Sequence, residues 1–89
     1  MLNYEFVCWL EGYFDLCPED RLDRKKLRIL RNHLNLVKAV EGELGPLNTN
    51  IYDTISKYLD DEKLTEEEVA ASTHILRPML QDFLQANYG

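Results

Sequence analysis

Two cysteines, four glycines, three prolines and a single tryptophan in 89 residues leave several classes of protein without their raw material. Cys8 and Cys17 are too few for a disulfide scaffold and stand in no C-x-x-C or Cys/His ligand spacing. They read as reduced thiols of a cytoplasmic protein, and they exclude the common structural zinc patterns. No G-x-x-x-x-G-K, G-x-G-x-x-G or G-x-S-x-G occurs, so phosphate-loop, dinucleotide and nucleophile-elbow chemistry lack their signatures. The most aromatic stretch, "MLNYEFVCWLEGYF", is interrupted by Glu5 and Glu11 and has no basic flank or small-residue cleavage site. Neither a signal peptide nor a membrane span is expected from it. Nor does any stretch alternate with period two for long enough to make a sheet.

What is present is the composition of a folded globular chain, with 45% hydrophobic and 10% aromatic residues. Its length allows one domain over residues 1–89 with a small core, in which about 60 to 65% of the unfolded surface is buried. Charge is segregated. Residues 21–38 hold seven of the ten cations against one acid, a local balance of +6, while the remaining three cations and fifteen acids leave −12. A chain with a pI near 4.8 repels a phosphate backbone over most of its surface, so general nucleic-acid binding is not expected. The acids outside the basic segment show no regular, duplex-like spacing that would suggest DNA mimicry.

Helical periodicity organises the rest. Phe6, Trp9, Leu10, Tyr13 and Phe14 recur at i, i+3, i+4, i+7 and i+8, predicting an amphipathic helix over about 4–15 that Pro18 separates from the next helix. A cap-like pattern then appears at Leu22-Asp23, Leu47-Asn48 and Leu64-Thr65, each with an apolar or aromatic residue five positions after the leucine: Leu27, Tyr52 and Val69. These read as hydrophobic staples around N-caps, and Thr65 with Glu68 adds a capping box. Helices are therefore expected at about 24–43, 49–60 and 66–87, the last with a kink or break near residues 74–78 caused by Pro78. The predicted fold is all-α, a small bundle of about four helices joined by short antiparallel connections.

The helix over 24–43 has two adjoining apolar rows, Leu27, Leu30, Leu34 and Val37, then Ile29, His33, Leu36 and Val40. Together they span about 180°, wider than the ~100° stripe of an ordinary surface helix. Such a helix lies at the centre of a bundle or serves both a core and a subunit interface. Its other side carries a basic strip of Arg21, Arg24, Arg28, Arg31 and Lys38. Cations in a first turn face the positive end of the helix dipole, at a typical cost of ~0.3 to 1 kcal/mol each when exposed. Arg24, Lys25 and Lys26 therefore need neutralising. The candidates are the nearby Glu19, Asp20 and Asp23, an acidic surface such as residues 60–68 of the same or another copy, or a bound anion. The residues nominated for partner or anion binding are Arg24, Lys25, Arg28, Arg31 and Lys38.

Phe6, Trp9, Tyr13, His33, Leu36 and Val40 are assigned to packing or a self-interface. His33 sits among leucines and reads as a hydrogen-bonded core or interface histidine; His74 lies about forty residues away, and no carboxylate forms a ligand pattern with either, so no metal or other cofactor is expected. Trp9, Tyr13 and Phe14 have the chemistry to stack on a base, although aromatics at helical spacing more often belong to a core.

"FVCWLEGYFDL" followed by "LRNHLNLV" resembles short proteins of tailed bacteriophages. These carry an aromatic-x-x-Trp-Leu-x-Gly-aromatic-aromatic segment and then a helix with a His-Leu-x-Leu-Val run. The matching positions are Phe6, Trp9, Leu10, Gly12, Tyr13 and Phe14, then His33, Leu34, Leu36 and Val37, all within the first forty residues. The chain departs from the acidic cap region of such proteins with Arg24, Lys25 and Lys26. The resemblance implies a phage-encoded, non-enzymatic protein of the host cytoplasm that binds a host protein, as inhibitors of bacterial defence of the anti-CRISPR or anti-CBASS kind do. From the residues themselves, a homo-oligomer and an oligomeric sponge for an anionic nucleotide signal, held between basic helix starts, are the further readings.

Overall fold

The computed structural model describes residues 1–88. Five helical segments follow one another: α1 (Asn3–Leu16), α2 (Arg24–Glu41), α3 (Pro46–Leu59), α4 (Glu66–Ala70) and α5 (Thr73–Tyr88). Among the described residues there is no strand. With α4 and α5 taken as one interrupted helix, this is the expected bundle of four.

Each start and stop has a local cause. Glu5 returns its carboxylate to the Leu2 N–H (2.8 Å), and α1 closes where the Cys17 N–H reaches Tyr13 O just before Pro18. Asp23 caps α2 by accepting from the Lys26 N–H at 2.8 Å, with Leu22 and Leu27 buried around it as a staple. At the other end Gly42 adopts φ 86°, the left-handed conformation that stops α2 two residues before the predicted boundary. Thr65 and Glu68 form the reciprocal capping box, at 3.0 and 3.2 Å, and Val69 is buried beneath it.

The middle start is corrected. Leu47 and Asn48 are not a staple and cap outside the helix; α3 begins three residues earlier than predicted, with Gly45 at the N-cap and Pro46 in the first turn, where a missing N–H costs nothing. Asn48 is instead buried inside α3, donating to Asn3 Oδ1 (2.8 Å) and Asn3 O (3.2 Å). The interruption of the last helix also lies upstream of the predicted position. Ala71 and Ser72 bond back to i−3 carbonyls, and the Ser72 hydroxyl donates to Val69 O at 2.7 Å. Pro78 sits inside α5, one turn past its start, beside an exposed His74 whose carbonyl loses its helical donor.

The core is one cluster built from α1 (Phe6, Leu10, Phe14), α2 (Leu27, Leu30, Leu34, Val37), α3 (Ile51, Ile55) and the last helix (Val69, Leu76, Leu80). Long-range contacts place α2 against both α1 and α3, and α5 against both α3 and α1. One end of the bundle therefore gathers the 17–23 and 60–65 connections, and the other gathers the N-terminus and the 42–45 turn. At the first end the Leu22 N–H donates to the buried Thr73 hydroxyl (2.9 Å). At the second, Asn3 holds the turn by accepting from the Gly45 N–H and donating to Glu41 and to Glu43 O.

Candidate binding surface

The cations of α2 divide into two sets. Arg24 extends to the end of α3, donating to Leu64 O (2.8 Å), Asp61 O (3.1 Å) and Leu59 O (3.5 Å). Arg31 reaches Asp60 at 3.1 Å and the Ser56 hydroxyl at 3.5 Å. Lys26 donates to both carboxylate oxygens of Asp20 at 2.8 Å. The side chains of Lys25, Arg28 and Lys38 are exposed and, among the described residues, have no hydrogen bond or ion pair. Much of the unfavourable first turn is thus satisfied within the chain by Asp20 and by carbonyls, and Lys25 and Arg28 are left over.

Asp20 is the centre of this end. Besides Lys26 it accepts the Tyr13 hydroxyl at 2.5 Å and the Arg21 N–H at 3.1 Å, while its own carbonyl takes Arg77 at 3.1 Å. The hydrogen bonds from Lys26 and Tyr13 hold the Asp20 carboxyl below the ordinary carboxylate range, and the same bond raises Lys26. Partial burial, with the Asp20 carboxylate beside it, pushes the Tyr13 phenol well above its usual value. Arg77 binds three carbonyls of one turn, those of Cys17, Pro18 and Asp20, and lies over the Phe14 ring at 5.0 Å. Sequence reasoning missed Arg77 and Asn3. The available signals were slight: Arg77 is the sole cation after Lys63, and Asn3 is an amide at the edge of an aromatic helix.

The residues assigned to packing or a self-interface separate by depth. Phe6 is fully buried. Tyr13 is half-buried, whereas Trp9 is 37%, Leu36 56% and Val40 60% exposed. His33 is half-buried and stacks on Trp9 with ring centroids 4.6 Å apart and planes 16° from parallel. Its Nδ1 donates to Ile29 O at 2.8 Å, since a carbonyl can only accept, so His33 fastens the α1–α2 surface and offers only Nε2 outward. Beside this stack, Trp9, Tyr13, Leu22, Lys26, Ile29 and Leu30 line an open, almost wholly apolar cleft of about 290 Å³.

No known protein family, curated protein or solved structure matches this chain. Function must therefore be argued from chemistry. Among the described residues, no three His, Cys, Asp or Glu side chains are grouped to hold a metal ion. No helix is long and apolar enough to cross a membrane among them. Cys8 is exposed and Cys17 half-buried.

Proposed function

We propose that this chain is a non-enzymatic interaction protein, encoded by a phage and directed at a host protein, with inhibition of a defence system as its role. The cleft of Trp9, Tyr13, Ile29 and Leu30 carries this reading. It is open to solvent, apolar, and large enough for one or two side chains of a partner, which is the character of a hot-spot pocket at a protein interface. Its titratable wall residues, Lys26 and Tyr13, are already committed to Asp20, so they support the cleft and are not poised as acid, base or nucleophile. Lys25 and Arg28 lie on the same half of α2 and suit an acidic rim on the partner. The sponge reading gains less support, because Arg24 and Arg31, two of the cations it needs, bind the chain's own carbonyls and Asp60.

Ile29 is 41% exposed, so Ile29→Glu places a charge in the cleft wall without opening the core. The tagged protein is expected to retain one host protein on affinity capture, with purified components reproducing the complex, and Ile29→Glu to weaken that complex at least tenfold while keeping its helical circular dichroism. Undiminished binding by Ile29→Glu would overturn the assignment of the cleft.

A further inference from the structure

We infer that the cavity beside the N-terminal end of α1 is a binding site for a small, neutral, single-ring aromatic molecule carrying one hydrogen-bond donor, a phenol or an arylamine, with Asn48 Oδ1 as the acceptor that recognises it. The cavity is open, has a volume of about 180 Å³, and lies where α1, the start of α3 and α5 meet. Tyr4, Val7, Pro46, Leu47 and Phe83 make its apolar wall, and Asn48 stands among them. It shares no residue with the cleft beside Trp9, and the proposed host binding does not depend on it.

A buried amide oxygen without a donor sets the chemistry. Asn48 is 2% exposed, and its Oδ1 is shut off from bulk water with no hydrogen-bond partner among the described residues. The orientation of this amide is fixed by its neighbours. Its Nδ2 donates to Asn3 O and Asn3 Oδ1. Asn3 is itself held, its Oδ1 accepting from the Gly45 N–H while its Nδ2 donates to Glu41 and to Glu43 O. Exchanging the two ends of the Asn48 amide would set an oxygen against two acceptors. Oδ1 therefore remains an acceptor turned away from Asn3, and buried acceptors in native proteins almost always have a donor.

Size and lining decide the class of ligand. An apolar cavity of about 150 Å³ takes benzene, whereas drug-sized ligands use about 300 to 1,000 Å³. One ring with its donor matches the space here, and a nucleotide is too large for it. The apolar wall would leave a charged group unpaired, so the ligand is neutral. Tyr4 is 60% exposed and Phe83 only partly buried, so this side of the wall can yield to an entering ring.

Phenol and toluene test the assignment, because they are nearly equal in size and differ in the donor. Toluene is the better ligand for a purely apolar space, since the phenol hydroxyl must leave water to enter it. Each is titrated into the full chain while the methyl resonances of Val7 and Leu47, and their Overhauser contacts with ring protons, are followed by NMR. Phenol is expected to shift those methyls saturably and to bind at least fivefold more tightly than toluene. Asn48→Leu removes the acceptor and is expected to reverse that order; should this variant not fold, the two ligands on the parent chain decide by themselves. Equal or tighter binding of toluene, no saturable shift at Val7 and Leu47, or an unchanged phenol preference in Asn48→Leu would each overturn the proposal.

Discussion

At the scale of single residues, several cations and acids of this chain act on its own backbone and turns. Asp20 shows how far one side chain can be used: it neutralises Lys26, receives the Tyr13 hydroxyl, and lies in the turn that Arg77 binds through carbonyls. Its pH dependence has a definite sign. A carboxyl held below its ordinary value in the folded state contributes stability above the unfolded value, and that contribution is lost as pH falls through the lowered one. Tyr13 and Lys26 are both raised, so their contributions are present below their ordinary values and fade as pH rises through the raised ones. Asp20→Asn is therefore expected to be less stable than the parent near neutrality. Urea midpoints of the two proteins should converge as pH drops from about 5 to about 2, where carboxylates protonate. A difference that stays constant over that window would show that the carboxylate's charge is not what matters.

At the scale of elements, α2 sets the contrast between what pattern reveals and what it hides. Its two apolar rows were legible because 3.6-residue periodicity is a property of the sequence itself. Which row is buried was not, since that depends on where α1 and α3 dock. The inner row, Leu27, Leu30, Leu34 and Val37, is at most 3% exposed, while Leu36 and Val40 of the outer row are more than half exposed. Leu34→Ala is expected to cost about 2 to 5 kcal/mol by loss of burial and creation of a cavity. Leu36→Ala should stay within about 0.5 kcal/mol of the parent in denaturant unfolding. Equal losses would mean that both rows are core. The helix starts at Asp23 and Thr65 were readable for the same reason as the rows, because caps and staples are local. The start at Asn48 was misread because its amide is claimed by Asn3, 45 positions away, a contact that no local pattern encodes. The cleft was hidden in the same way: its wall joins α1 to the start of α2, and sequence spacing nominated Trp9 and Tyr13 for packing without showing the opening between them.

At the scale of the whole molecule, the two ends of the bundle are closed by different chemistry. One end is held by Arg24 and Arg77 on backbone carbonyls around the Asp20 network. The other is held by Asn3, which joins the 42–45 turn to α1 through Gly45, Glu43, Glu41 and Asn48. An arginine fork can bind several carbonyls at once, and removing it leaves them in want of donors, so Arg77→Ala is expected to cost about 2 to 3 kcal/mol. Asn3→Ala should cost about 2 kcal/mol for the same reason. The 14 residues of α1 separate these groups by about 20 Å at 1.5 Å per residue, beyond the roughly 10 Å over which sites usually couple. The two losses should therefore add to within about 0.5 kcal/mol in an Asn3→Ala/Arg77→Ala double mutant, provided unfolding remains two-state. Asp20→Asn with Arg77→Ala is expected to behave differently. Both act on the single turn from Cys17 to Asp20, so once either has loosened it the other has less to lose, and the pair should fall short of additivity. A denaturant double-mutant cycle at neutral pH measures both couplings together. Strong coupling between the far ends, or none within the turn, would contradict a bundle whose ends are closed independently around one shared core.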